Sequence, residues 1–360
     1  MSSNFVFQIF TPQRSGTLQE QLLDIEMQYF IWLEHFSYSS YGLLQTRIYL
    51  SDAANQWAVI KESPLYVESL SKGAVSYIEQ PLLQGCKVAI QICLSTSLDI
   101  QKKGCPEQME IIVDGVRFLF HSVRFTSVEA KGLDAEAQTM LAFERHEQLL
   151  RNYAMTLERN CHRTWLYVRD IDRHYAGVVA GRNRVFSRCG LTADNHYIAS
   201  TGIGGYTDNR EAVVAVDFLS VEGPEDLQVK YLSALEYLNP THEYGVAFER
   251  GTRLTLPQGN VYFISGTASI DKHGECVHRG EVLTQAGRLF LNIEKLLNDG
   301  AASLKDVQYM IVYLRDIADY EAVASYMALR FPQIPKLITE ARVCRPEWLM
   351  EVECVAMTAL

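Results

Sequence analysis

No stretch of this chain stays apolar for the ~18–20 residues that a membrane-spanning helix needs, so the sequence predicts no span. The opening MSSNFVFQIFTPQRSG lacks a basic n-region and a long apolar h-region, and reads as no secretory signal. None of the eight cysteines forms C-x-x-C or sits beside a histidine at zinc spacing. His273 and His278 stand too far apart in context to argue for a metal. The expectation is buried thiols in a reducing cytoplasm, with no metal or cofactor. Positive charge is short, with 33 Lys and Arg against 43 Asp and Glu, a net charge of −10. That argues against nucleic-acid binding, which needs clustered cations to neutralise phosphate. A small anionic ligand needs only a few local arginines and stays open. Gly202-Ile203-Gly204-Gly205 allows close backbone approach, but no G-x-x-x-x-G-K-[ST] phosphate loop is present. Ser265 has no His/Asp constellation around it and reads as a strand residue.

What the chain does have is a long internal repeat. Gln138, Phe143, Glu147, Leu149, Leu150, Ala154 and Leu157 recur 147 positions later as Gln285, Phe290, Glu294, Leu296, Leu297, Ala301 and Leu304. After a one-residue slip, Tyr167-Val-Arg169-Asp170-Ile171 recurs as Tyr313-Leu-Arg315-Asp316-Ile317. The offset is too long for a solenoid and implies two copies of a domain-sized unit. Length allows two or three domains, and 48% hydrophobic residues suffice for ordinary cores.

Local patterns give each copy a β-hairpin, a helix, a strand, a second helix and a closing strand. Asp114-Gly115 marks a hairpin turn. Residues 134–158 read as a helix. Its second copy has the cleaner period, with Ala286, Leu289, Phe290, Ile293, Leu296 and Leu297 on one face, ended by Asn298-Asp-Gly300. Trp165–Val168 and Met310–Leu314 read as strands, and Asp172–Cys189 and Asp319–Arg330 as second helices. Val213–Phe218 and Leu349–Met357 are the final strands. Residues 1–50 read as strands and a connection. Gly, Pro and charge near 220–245 place the boundary there, giving an N-terminal unit of 1–225 with extra strands and a C-terminal unit of 226–360.

The segments Ser265-Gly266-Thr267-Ala268-Ser269, Leu314-Arg315-Asp316, Ala341-Arg342-Val343-Cys344 and Glu351-Val352-Glu353 resemble the YjgF/Rid family. Trp165-Leu-Tyr167, Gly181-Arg182, Ser200-Thr201-Gly202, Tyr244-Gly245…Phe248-Glu-Arg250 and Cys344-Arg345-Pro-Glu-Trp348 extend the resemblance along the chain to the chorismatases. The resemblance implies an α/β fold of two tandem chorismate-mutase-like barrel units, each a mixed sheet packed by two helices. It also implies cleavage of the enolpyruvyl ether of chorismate, giving pyruvate with a hydroxybenzoate or a dihydrodiol. A Rid-type imine or enamine deaminase and a non-catalytic small-molecule binder are the alternatives. Either a homotrimer or a pseudo-symmetric monomer fits.

Period two puts Glu351 and Glu353 on one face of the last strand, with Met350, Val352, Cys354 and Ala356 on the other. Cleaving an enol ether needs a proton on its terminal carbon, which a carboxylic acid kept neutral by burial can give. Glu351 is the candidate, and Ala215 takes its place in the first copy. On pattern alone, a polar sheet face is the commoner meaning. Carboxylates of the substrate want cations. By resemblance Arg182 supplies one from the first copy, and Arg342 and Arg345 flank Cys344 in the second, Arg342 where Rid proteins bind carboxylates. Cys344 is a candidate for shaping the product or for a covalent step, and Ala268 for the same wall. Tyr167 and Ser200-Thr201 are candidate hydrogen-bond donors to the ligand. Trp165 and Trp348 read as core.

Overall fold

The computed structural model describes residues 4–83, 85–224, 227–257 and 259–360, and contains three sheets. The first holds β1 (Phe5–Phe10), β2 (Leu43–Leu50), β3 (Ala74–Glu79) and β4 (Val88–Ser95) in the order β1-β4-β2-β3. The second is built from β5 (Ile100–Cys105), β6 (Gln108–Val113), β7 (Val116–Val123), β8 (Cys161–Val168), β9 (Ala199–Gly204) and β10 (Val214–Glu222). The third repeats it with β11 (Gln228–Tyr231), β12 (Gly251–Leu256), β13 (Gly259–Thr267), β14 (Val307–Leu314), β15 (Lys336–Glu340) and β16 (Met350–Thr358). Orders β7-β10-β8-β9 and β13-β16-β14-β15 match the first sheet, and in each the last pair is parallel.

The two copies expected from the repeat are therefore present. The N-terminal segment, read as extra strands, forms a third unit of the same order that lacks only the leading hairpin. The expected boundary between residues 225 and 226 lies outside the described residues. Each unit has a helix after its first strand and another between its parallel strands. These are α1 (Leu18–His35) and α2 (Ala53–Lys61), α3 (Ala135–Arg151) and α4 (Ile171–Arg188), and α5 (Val282–Asp299) and α6 (Tyr320–Arg330). None of the helices in the described residues is long and apolar enough to cross a membrane.

The repeated residues do repeated work. Gln138 on α3 accepts the Val213 N–H at 2.9 Å, and Gln285 on α5 accepts that of Leu349 at 2.9 Å, each tying its helix to the start of the closing strand. Gln21 on α1 does the same for the Lys87 N–H at 2.7 Å, although the sequence around it has lost the rest of the repeat. Ala154 and Ala301 both take positive φ, 55° and 66°. That left-handed residue is why the helix expected over 134–158 stops at Arg151. The six apolar residues named on α5 are all fully buried.

Registers align across the units. Tyr49 faces Ala89, Tyr167 faces Ala215 and Tyr313 faces Glu351. Two residues along each closing strand stand Gln91, Asp217 and Glu353. These positions face inward, where the three sheets meet. The three tyrosines are almost wholly buried.

The first–second unit interface is closed by charge. Arg124 Nη1 donates to Asp217 at 2.8 Å, its Nη2 donates to Ser76 Oγ at 3.0 Å, and Ser76 donates to the same carboxylate. Arg124 also lies over the rings of Tyr77 and Tyr167. Removing one partner of a buried pair leaves a charge without compensation. Arg124→Ala is therefore expected to cost about 3–5 kcal/mol of stability in urea denaturation. A loss below about 1 kcal/mol, the worth of a surface pair, would contradict this account.

Candidate active site

A cleft opens between the second and third units and encloses about 550 Å³ of space, mouth included. Its second-unit wall carries Tyr175 and Arg182 of α4 with Ser200 and Gly202 of β9. The seven-residue spacing puts Tyr175 and Arg182 on one helix face. Gly181 lets this helix lie close against α3, because a Cβ there would stand 2.6 Å from the Glu136 carbonyl oxygen. The third-unit wall carries Gly266 and Ala268 at the end of β13, then Cys344, Arg345, Trp348 and Glu351. Tyr244, Phe248 and Arg250 come from the loop before β12. Asn183 on α4 holds that loop by donating to the Gly245 carbonyl at 3.1 Å.

Glu351 lies at the base of the cleft, 4% exposed. Its carboxyl rests against Gly266, where a Cβ would stand 1.9 Å from Oε1. Only glycine admits it there. Burial pushes Glu351 up to about 8; the Glu353 charge adds to this, and Arg163 and Arg250 oppose it. At neutral pH the group is therefore an acid with a proton to give.

The wall above it is rich in donors that lack acceptors. Arg182 is 2% exposed, and its Nε and Nη2 have no partner. Burial pushes Arg182 downward, partly offset by Tyr175, Tyr244 and Cys344, yet a guanidinium stays charged. The Tyr244 hydroxyl, Trp348 Nε1 and Arg250 Nε are likewise buried without partners. Unmet donors in a dry site cost free energy until an acceptor arrives, so the cleft suits an anion. Arg345 stacks between Tyr244 and Trp348, 4.9 and 4.7 Å from their ring centres, and donates to the Gly274 carbonyl at 2.8 Å. Cys344 is pushed up to about 12, chiefly by burial and next by Glu351. It is a neutral thiol, which suits a wall better than a nucleophile.

The structure thus brings together Glu351, Cys344, Arg182, Arg345, Ala268 and Ser200 of the residues expected from sequence. Three others lie elsewhere. Arg342 is largely exposed and donates to Asp172 Oδ2 at 2.9 Å, beside Arg315, which grips the same carboxylate with contacts of 2.8 and 2.7 Å. It ties the start of α4 to the third unit and does not line the cleft. Tyr167 is buried among the inward-facing residues with its hydroxyl unpartnered. Thr201 lies beneath the floor, its Oγ1 taken by Arg163 at 2.6 Å and by the Gly266 N–H at 3.0 Å. Trp348, expected in the core, is a cleft residue as well.

Sequence reasoning missed Tyr175, Arg250 and Arg163 as site residues. Arg163 could have been found, since a lone charge inside the apolar strand CHRTWLYV must have a buried partner. Tyr244 and Arg250 stood in a segment that carried the family resemblance, but nothing local says that their loop folds over Glu351.

Glu351 makes stability depend on pH. Its folded value of about 8 exceeds its ordinary 4.5, so the folded state holds this proton more tightly. The stability it contributes is complete below about pH 4.5 and is lost as pH rises through 8. Relative to wild type, Glu351→Gln should gain stability between pH 5 and 8, as read by urea denaturation across that range. Parallel curves would place Glu351 in water.

Comparison with known proteins agrees with this architecture. Residues 248–358 match the family model described as Endoribonuclease L-PSP. The 3-aminoacrylate deaminase RutC of Acinetobacter baylyi is 30% identical over 99 residues, which are 27% of this chain and 79% of that protein. A crystal structure of a chorismatase superposes with a TM-score of 0.69 and 19% identity, covering 98% of each chain. At that identity the likeness speaks for the fold.

Proposed function

The chain belongs to the YjgF/Rid superfamily and has a chorismatase-like fold, and from that premise we propose that it cleaves the enolpyruvyl ether of chorismate. The observation that carries this reading is the burial of Glu351, which pushes its carboxyl up to about 8, in one cleft with Arg182 of the neighbouring unit, whose Nε and Nη2 have no partner.

Glu351 delivers its proton to the terminal methylene carbon of the enol ether. The ether carbon becomes an oxocarbenium centre, next to the carboxylate that Glu351 leaves behind. Water then adds to that centre and the hemiketal collapses, giving pyruvate and a dihydrodiol. Alternatively, the ring hydroxyl next to the ether displaces the oxocarbenium oxygen from the ring carbon, so that the ring C–O bond breaks, pyruvate leaves and the hydroxyl proton passes to the Glu351 carboxylate; the epoxide so formed isomerises to a hydroxybenzoate. Arg182 and Arg345 hold the substrate carboxylates. Arg182 can offer two donors at once, a geometry that matches a carboxylate. Cys344 and Ala268 shape the wall against which the ring lies, so Cys344 bears on which product forms. With three units in one chain, the protein acts as a pseudo-symmetric monomer, which light scattering would report as the mass of one chain.

The deaminase alternative relied on Arg342 to bind the carboxylate. Its pairing with Asp172 at the start of α4, outside the cleft lining, favours the ether-cleaving reading.

Incubation with chorismate should release pyruvate, and Glu351→Gln should lower that rate by about 10²–10⁴-fold, the usual loss for a general acid. Near-normal turnover by this variant would remove Glu351 from the chemistry. Hydrolysis of amino-acid-derived imines without pyruvate release would establish the deaminase instead. Arg182→Ala should weaken chorismate binding by about 1.5–3 kcal/mol in ligand titration, with Arg182→Lys recovering only part. Unchanged affinity in Arg182→Ala would place the carboxylates elsewhere.

A further inference from the structure

Among the described residues Glu351 makes no ion pair of its own, yet its surroundings are fixed from all three units. The fixed point is Glu353, two residues along β16 on the same face. Its Oε1 accepts from Arg47 Nη1 of the first unit at 3.2 Å and from Trp165 Nε1 of the second at 2.9 Å. Its Oε2 accepts from Arg163 Nη2 at 2.8 Å. The same Arg163 Nη2 donates to Thr201 Oγ1 at 2.6 Å, and that hydroxyl accepts the Gly266 N–H at 3.0 Å. Gly266 is the residue whose missing side chain makes room for the Glu351 carboxyl. One guanidinium therefore grips both the anion beside the acid and, through one hydroxyl, the backbone against which the acid lies.

The first–second unit interface is the internal comparison. By register, Ser76 stands for Thr201 and Asp217 for Glu353. There the hydroxyl meets the carboxylate directly, Arg124 completes the pair, and Ala215 occupies the acid's position. A buried ion pair with no acid beside it holds an interface together. At the cleft, by contrast, the pair is wired to a group with a proton to give.

We propose that Arg163 and Glu353 are positioning residues for Glu351, Glu353 by keeping a fixed negative charge beside it and Arg163 by anchoring that charge and the Gly266 backbone. This rests on reading Glu351 as the proton donor. The groups facing Glu351 are Glu353 along β16, Arg163 from β8, Arg250 ahead of β12, Cys344 ahead of β16, and Tyr175 and Arg182 from α4. Glu353 favours the protonated form, and Arg163 and Arg250 favour the carboxylate. The two positioning residues therefore pull in opposite directions, which a general loss of folding cannot imitate.

The test is the carboxyl titration of Glu351 in substrate-free, ¹³C-glutamate-labelled protein, assigned by difference from Glu351→Gln, beside the pH dependence of kcat for pyruvate release. Glu353→Gln should lower the Glu351 midpoint by about one unit, a tenfold change in proton affinity. The alkaline loss of kcat should move down with it. Arg163→Gln should move both upward, and Arg163→Lys should restore them. Thr201→Val probes the backbone link without removing a charge. It should lower kcat by about tenfold or more through misplacement of the acid, with KM little changed and Thr201→Ser restoring the rate. Unmoved midpoints, or shifts of the same sign in Glu353→Gln and Arg163→Gln, would overturn the proposal. Should the midpoints move as stated while no variant releases pyruvate from chorismate, the positioning stands and the proposed reaction fails. Should wild type release pyruvate while the midpoints stay fixed, only the positioning fails.

Discussion

The burial of the Glu353 carboxylate is the constraint on which the rest of this structure depends. At 2% exposure it has no water to solvate it, and a lone charge in such a place would cost several kcal/mol. It is tolerated because guanidinium groups from both other units and an indole N–H converge on it. Arg47 and Arg163 also stack on Trp165, 4.1 and 4.6 Å from its ring centre. The three sheets are thus held in one mutual position by a charge that none of them could bury alone.

Three copies of one strand order meet around this point, but the interfaces have diverged. Arg124 fills the one between the first and second units. Between the third and first, the place corresponding to the cleft is lined by Leu82, Leu83, Leu337 and Ile338 together with Thr11 and Lys336. Among the described residues, only between the second and third do an acid, a small residue beside it and a guanidinium with free donors, that of Arg182, coincide. Each ingredient is ordinary. Their combination depends on Glu351 where the sister strands carry Ala89 and Ala215, and on Gly266 leaving space for it.

The electrostatics of the cleft follow from that division of labour. The nearest cations, Arg163 and Arg250, are engaged with Glu353 and with the Asn239 carbonyl. They therefore offset the desolvation of Glu351 without overcoming it, and the proton stays on. Arg182 sits on the opposite wall, far enough into the second unit to be fixed by α4 and free to meet a ligand. Separating the proton donor from the anion clamp lets both charge states persist at one pH.

The amino-acid sequence by itself determined the repeat, the α/β class, the helices with clean apolar faces and the placement of Glu351 against Ala215. These features are written in periods of 3.6 and 2, and in matched residues such as Gln138 and Gln285. It pointed by resemblance to Arg182, Cys344 and Arg345. The first unit was hidden, because Gln21 keeps its tether to Lys87 while the surrounding residues changed, and a hydrogen bond to backbone constrains one side chain only. Arg342 shows the opposite case: its sequence neighbours are those of a carboxylate binder, yet Asp172 across the unit boundary captures its charge. Which arginine faces the cleft, and whether a carboxylic acid keeps its proton, were decided by tertiary structure alone. Both depend on charges brought near by other units, and burial and Coulomb energies follow distance in space, not separation along the chain.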